Sequence, residues 1–312
     1  VSGAILLIGP TGAGKSEAAL WLAERYPVEI VSVDSALVYR GLDIGAAKPT
    51  RELRATYVHH LVDICDPSEH YSVSQFLSDA ERVMAEIEAR GRIPLLVGGT
   101  MLYVRALQSG LADLPPADPT VRARLGERAA RLGWPALHAE LAAIDAVAAA
   151  RIQPADGQRI QRALEVFELT GTPLSRLQAE DLRGASSRRY RKLILGPADR
   201  HALDQRLAQR FDGMLRAGLL EEVRALFERG DLDPSLPAIR AVGYRQLWAH
   251  LAGRCTLEEA RAEAIGATLK LAKRQYTWLR AEPSAAWVGS GDAAMAAVSQ
   301  AVGDWLAEAR VI

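Results

Sequence analysis

Through the first third of the chain, short apolar runs alternate with longer stretches in which apolar residues recur at helical spacing. Ala4–Ile8 is a continuous apolar run of strand length ending at Gly9, and Ala18, Ala19 and Leu22 then mark one face of a helix. Glu29–Val33 repeats the strand pattern and stops at Asp34-Ser35. Between Tyr71 and Arg90, Phe76, Ala80, Val83 and Ile87 form an i, i+4, i+7, i+11 stripe closed by Gly91, which predicts an amphipathic helix. Ile93–Val97 is a further buried strand, running into Gly98-Gly99-Thr100. Strands separated by helices imply right-handed crossovers, and hence a parallel sheet covered by helices on both faces, with ligands at the carboxyl ends of the strands.

Asp113–Thr120 (DLPPADPT) carries three prolines and breaks this rhythm, so a boundary is placed there. Beyond it the chain is rich in Ala, Arg and Leu at helical spacing, with no strand-like run up to about Leu182. Tyr190–Gly196 reads as a strand returning to the sheet, and helices resume near Asp199, at Thr256 (a capping box with Glu259) and near Asp292. The predicted organisation is an α/β core in two parts, residues 1–115 and 187–312, around an all-helical insertion at 116–186.

With 312 residues, 49% hydrophobic and 24% charged, the composition is that of a folded globular protein of about two domains. No apolar run approaches the ~18–20 residues needed to cross a bilayer. The first apolar run enters a glycine loop rather than a cleavage site, so no signal peptide is expected. Cys65 and Cys255 are the two cysteines, which argues against a disulfide framework and for a reducing, cytoplasmic compartment. Net charge is zero, yet two stretches are locally basic. One holds Arg183, Arg188, Arg189, Arg191 and Lys192 against Asp181; the other holds Lys270, Lys273, Arg274 and Arg280 with no acid. Taken singly, such clusters are more often solvated helix faces than binding sites.

Gly9, Pro10, Thr11, Gly12, Ala13, Gly14, Lys15 and Ser16 fit the phosphate-loop pattern G-x-x-x-x-G-K-[ST], with a strand before and a helix after. The glycines let successive backbone N–H groups face one anion, Lys15 pairs with phosphate oxygens, and the Ser16 hydroxyl can hold Mg²⁺. The base-reading Asn-Lys-x-Asp of GTPases is absent, and Ile93–Val97 ends in Gly-Gly-Thr where an ATPase would usually carry an acid. A small-molecule kinase stays open, with Asp34 as acceptor base; a lone Asp after a strand is more often a turn or capping residue.

The phosphate loop, Asp34-Ser35-x-x-Val38-Tyr39 continuing through Gly41–Gly45 and Ala47-Lys48-Pro49, Tyr71-Ser72-Val73, Gly98-Gly99-Thr100 with Leu102-Tyr103, Arg162–Val166 with Thr170-Gly171, Ile239–Gln246, and Lys273–Gln275 with Thr277–Arg280 together resemble bacterial tRNA dimethylallyltransferases, in collinear order over about residues 4–280. The resemblance implies a P-loop NTPase-like core and transfer of a dimethylallyl group from dimethylallyl diphosphate to the exocyclic amine of the adenine 3′ to the anticodon, in tRNAs reading codons that begin with U. It further implies Mg²⁺ and no consumption of ATP; the short apolar runs predict no membrane association, and a monomer is expected.

By that resemblance, Asp34 removes the amine proton, Lys15 and Thr100 share the catalytic site, and Arg210 helps hold the diphosphate. Asp34, Ser35, Ala36, Leu37 and Thr100 line the adenine site, and Arg122 contacts tRNA. Gln158, Arg159, Ile160, Gln161 and Arg162 match a loop-gripping segment. In that segment Ile160, Leu164 and Phe167 make a core stripe that turns Gln158 and Arg162 to the far side, with Arg159 flanking. Arg240, Ala241, Val242, Gly243, Tyr244 and Arg245 match a further tRNA segment. So do Lys273, Arg274, Gln275, Tyr276, Thr277, Trp278, Leu279 and Arg280, beside a stripe of Ile265, Leu269, Ala272, Tyr276 and Leu279. Leu37 stands where the family often has Gln, Met101 where Gly is common, and Ser16 where Thr is common. Two cysteines exclude the zinc finger of eukaryotic relatives, and the His59-His60 pair lacks ligand spacing. An RNA-binding module that keeps its phosphate loop only for structure is the third reading.

Overall fold

The computed structural model describes residues 3–180, 182–183, 188–196, 200–282, 284–289 and 291–310. The expectations that rest on Asp181 and on Asp199 lie outside them. The chain divides into two compact units, Val1–Val104 with Ser187–Ile312, and Arg105–Ser186.

The first unit begins with β1 (Gly3–Ile8), α1 (Lys15–Arg25), β2 (Val28–Val33), α2 (Arg51–Thr56), β3 (His59–His60), α3 (Val73–Ala89) and β4 (Ile93–Gly98). α4 (Met101–Ser109) leaves it, and β5 (Leu111–Ala112), α5 (Pro119–Leu132), α6 (Trp134–Ile144), α7 (Ala146–Ala149), α8 (Gly157–Thr170), α9 (Leu174–Glu180) and β6 (Leu182–Arg183) form the second unit. The chain returns through β7 (Arg189–Leu195), α10 (Arg200–Arg216), α11 (Leu219–Phe227), α12 (Tyr244–Leu251), α13 (Leu257–Arg280), β8 (Ala286–Gly289) and α14 (Asp292–Arg310).

The six strands of the first unit form one parallel sheet in the order β3-β2-β4-β1-β7-β8. β1 and β2 are buried along their whole length; β1 accordingly reads as an almost unbroken apolar run, whereas β2 also buries Glu29 and Ser32. The crossover through α1 steps over the place of β4, and the one through α3 steps back into it; at fixed right-handedness these opposite steps put the two helices on opposite faces. Ile5, Leu7, Val28, Ile30 and Leu95 pack with Ala18, Ala19 and Leu22 of α1 and with Ala294, Val298 and Val302 of α14. Helices α10 to α13 enclose a second core around Tyr39, Leu42, Leu219, Val223, Tyr244 and Leu247.

Strand register brings three loops together. Ile8 and Val33 both pair with Gly98, so β1, β2 and β4 end level, and Gly9, Asp34 and Gly99 emerge side by side. Gly98 is obligatory at this level, since a Cβ there would lie 2.0 Å from the Val33 carbonyl oxygen.

The second unit has a core of Val121, Leu125, Leu137, Leu141, Ile160, Ala163, Leu164 and Val166. Its first boundary falls earlier than the proline-rich segment, because Leu111 and Ala112 pair antiparallel with Arg183 and Leu182. That two-residue pair also adds a ribbon to a stretch read as wholly helical; runs so short carry no periodicity. Phe167 is half-buried, and the stripe on α8 is filled instead by Ala163 and Val166, since α5, α6 and α9 cover that helix from more than one side. No helix among the described residues is long and apolar enough to cross a membrane.

Candidate functional site

The loop from Gly9 to Gly14 joins the buried end of β1 to the first turn of α1. Gly12 (φ 76°) and Gly14 (φ 89°) take left-handed conformations that a side chain would strain. Pro10 has no N–H, the Thr11 N–H donates to Gln275 Oε1 at 2.9 Å, and the Ala13 N–H donates to the Pro10 carbonyl at 3.3 Å. The amides of Gly12, Gly14, Lys15 and Ser16 are thereby left for an anion at the helix N-terminus. Lys15 Nζ donates to the Pro10 carbonyl at 2.8 Å. Burial lowers its pKa to about 8, with Asp34 opposing and Arg210 reinforcing the shift.

A cavity of about 390 Å³ opens onto this loop. Thr11 to Glu17 form one wall, Ile30, Ser32 and Asp34 of β2 and its end another, and Ala46, Ala47 and Pro49 a third; Leu37, His59, Val62, Val97, Gly98 and Arg210 complete it. Arg210 comes from α10, far away in sequence. Its side chain stays partly open to solvent, yet desolvation among its neighbours lowers its pKa while Asp34 pulls the other way. The structure places Arg210, expected to help hold a diphosphate, beside the phosphate loop and Asp34 in this cavity, and Arg206, one helical turn away, donates to the Gly12 carbonyl at 3.4 Å.

Asp34 does two things. Its Oδ1 accepts from the Ala36 N–H at 2.8 Å and the Leu37 N–H at 3.4 Å, which is the turn role a lone Asp after a strand commonly has; Oδ2 makes no hydrogen bond among the described residues. Thr100 Oγ1 accepts from the Ser35 N–H at 3.1 Å, so the Gly-Gly-Thr turn of β4 braces the turn that carries Asp34. The loop from Gly41 to Pro49 is held from below: Glu222 accepts from the N–H groups of Asp43, Ile44 and Gly45, and Tyr244 Oη donates to Glu222 at 2.5 Å while accepting from the Ala46 N–H. Lys48, almost wholly buried, is paired with Asp43 and Asp63.

Several residues expected at an RNA surface lie elsewhere. Tyr244, with no exposed surface, belongs to the core and the loop brace. On α13, Gln275, Tyr276 and Leu279 are buried, and Gln275 bridges the phosphate loop to the Gly99 carbonyl, donating at 2.8 Å. Its place between Ala272 and Leu279 on the buried stripe was readable from the spacing. Ile265 and Leu269, expected in that stripe, are only partly covered. Lys270, Lys273, Arg274, Thr277 and Arg280 do face solvent, as do Arg240, Arg245 and much of Trp278, while Ala241 and Val242 are half-covered and Gly243 is buried.

In the second unit, Ile160 is core, while Gln158 and Arg159 are exposed. Arg162 does not turn to a far side; it donates to Glu165 at 2.7 Å and to the Pro115 carbonyl at 2.7 Å. Arg122 makes a bidentate pair with the same Glu165, and the Gln161 amide donates to the Arg122 carbonyl. The basic stretch before β7 is likewise engaged: Arg188 pairs with Glu81 and Glu88, and Lys192 with Glu282. Ser32 and His59, both in the cavity wall, were not singled out from the sequence for this site.

The IPP transferase family model matches residues 37–282, most of the chain. The chain belongs to the IPP transferase family. A relative from Bordetella petrii named tRNA dimethylallyltransferase is 60% identical over 281 residues, covering 89% of this chain and 90% of its own. One of the same name from Ralstonia nicotianae is 56% identical over 286 residues, covering 90% and 88%. Among solved structures, the tRNA isopentenylpyrophosphate transferase of Bacillus halodurans superposes with a TM-score of 0.71 at 36% identity, covering 99% of this chain and 98% of its own. A eukaryotic dimethylallyltransferase acting on tRNA does so with a TM-score of 0.78 at 25% identity, covering 94% and 75%. The phosphate loop and Asp34 precede the stretch matched by the family model.

Proposed function

We propose that this family member transfers a dimethylallyl group from dimethylallyl diphosphate to the exocyclic amine of the adenine 3′ to the anticodon, in tRNAs reading codons that begin with U, releasing diphosphate. The observation that carries the reading is the meeting of Lys15, Arg210 and the open phosphate-loop amides with the carboxylate of Asp34 in one cavity.

The amine nitrogen attacks the allylic carbon as that carbon's bond to the diphosphate oxygen breaks. Charge grows on the leaving group, and the amides of Gly12, Gly14, Lys15 and Ser16 with the two cations are the donors that stabilise it. The amine becomes acidic as it bonds to carbon, and Asp34 Oδ2 takes its proton while Oδ1 keeps the turn in place. Thr100 acts through the Ser35 N–H by holding that turn.

No group of three or more His, Cys, Asp or Glu side chains among the described residues is arranged to hold a metal. The Ser16 hydroxyl beside open amides nevertheless suits Mg²⁺, a cation that keeps several waters and is commonly bound through phosphate oxygens. Bound there, Mg²⁺ would neutralise part of the diphosphate charge. The exposed basic row on α13, with Arg240 and Arg245, supports a contact with the tRNA backbone. We assign the protein to the cytoplasm as a monomer; its two free cysteines fit a reducing compartment.

The decisive experiment is mass spectrometry of an unmodified anticodon stem-loop after incubation with the protein, Mg²⁺ and dimethylallyl diphosphate, without ATP. Gain of one dimethylallyl unit on the adenine beside the anticodon is expected. No gain from folded, RNA-binding protein overturns the reading, and ATP turnover in a parallel incubation supplied with ATP would point to the kinase instead.

A further inference from the structure

Ser32 is the penultimate residue of β2, 4% exposed, and its Oγ is buried with no hydrogen-bond partner among the described residues. It shares one face of the strand with Ile30 and Asp34, and all three line the cavity at the phosphate loop. Its neighbour in register on β4 is Val97, also in the wall, and Ala19 of α1 is apolar too. The backbone of β2 pairs with β4 from Val28 to Val33 and with β3 at Ile30 and Val31. No group among the described residues hydrogen-bonds the hydroxyl. A buried hydroxyl without a partner is costly, and alanine would avoid that cost at equal ease of packing. The polar atom is therefore placed for something that enters the cavity.

The chemistry of the cavity identifies that occupant. Lys15 and Arg210 supply positive charge, the loop supplies N–H groups, and Ser16 faces the same space, so the occupant near Ser32 is anionic. Ser32 precedes Asp34 by two positions, about 6–7 Å along the strand, deeper from the sheet end where the acceptor amine must arrive. We propose that Ser32 is a further donor-binding residue, whose hydroxyl hydrogen-bonds the diphosphate head of the allylic donor and sets how deep that head sits below Asp34. The inference rests on the diphosphate donor of the proposed function.

Inorganic diphosphate in Mg²⁺ buffer is the probe, titrated calorimetrically into the full chain and into Ser32→Ala, with anticodon stem-loop RNA titrated separately. Loss of one hydrogen bond to a charged group predicts about tenfold weaker diphosphate binding in Ser32→Ala. RNA affinity should not change. The ligand-free variant should melt at the same temperature as the parent or higher, because an unpartnered buried hydroxyl has been removed, and its diphosphate-induced rise in Tm should be smaller. Equal diphosphate affinity in the two proteins overturns the inference and leaves the donor reading intact. A lower Tm of the ligand-free variant also overturns it, since the hydroxyl would then be stabilising the fold. Failure of the parent protein itself to bind diphosphate overturns the donor reading instead.

Discussion

At the carboxyl ends of β1, β2 and β4, Lys15, Asp34 and Ser32 share a cavity with Arg210, and no ion pair among the described residues joins Lys15 to Asp34. In the second unit, Glu165 has no exposed surface and is closed off by Arg122, Arg162 and the Asp118 N–H. Burial alone would raise the Glu165 pKa, yet these donors outweigh it and hold the carboxyl below its ordinary range. Both sets are charged and partly desolvated, but only the first keeps donors and acceptors unengaged. Unengaged groups in a cavity serve a ligand; a satisfied buried network serves the fold. The same distinction separates the two basic stretches, since Arg188 and Lys192 are paired with distant acids while Lys270, Lys273 and Arg280 make no ion pair among the described residues.

The largest effect should come from emptying the first set. Lys15→Ala and Asp34→Asn should each lower dimethylallyl transfer by about 10³-fold, while thermal unfolding shifts little. The asparagine keeps the turn acceptor that Asp34 Oδ1 provides. A fall in Tm comparable with the fall in rate would erase the contrast. Glu165→Ala should do the reverse in the second unit, costing about 3 kcal/mol of stability by leaving two arginines and a backbone N–H without their acceptor. Denaturant unfolding checks it, and an unchanged midpoint would show the network to be idle.

The third test is of pH. With Lys15 near 8 in the free protein, its charge is fully present below that value and lost above it, so kcat/KM for the donor should fall by up to about tenfold per pH unit above pH 8. A flat profile to pH 9.5 would sink the assignment of Lys15 to the anion. The smallest effect separates the basic stretches. Lys273→Ala should weaken stem-loop binding a few-fold and reduce the salt slope by about 0.7–0.9, whereas Arg188→Ala should leave both unchanged.

Much of this was legible in the chain. Runs of strand length announced β1, β2, β4 and β7, most plainly β1, which is apolar after its first glycine and buried throughout, and the phosphate loop was legible because its glycines and lysine lie within eight consecutive residues. Less legible were β3, β5, β6 and β8, which are two to four residues long and carry no period. Gln275 was assigned to RNA by its neighbours in sequence, although its position on the buried stripe of α13 pointed inward. Arg162 was turned outward because the buried acid it meets, Glu165, lies on the same helix and does not show its burial in the sequence.

The sequence by itself determined the local chemistry: which backbone can cradle a phosphate, which helix carries basic residues with no acid among them, and where the longer strands run. Those depend on residues within a few positions of one another, and periodicity records them. Only the tertiary structure decided which charges remain open. Arg210 joins Lys15 and Asp34 from α10, Glu81 and Glu88 silence Arg188, and Gln275 ties α13 to the phosphate loop, each across scores of residues. Hydrogen bonding and desolvation act between neighbours in space, and the fold alone makes neighbours of residues so far apart in the chain.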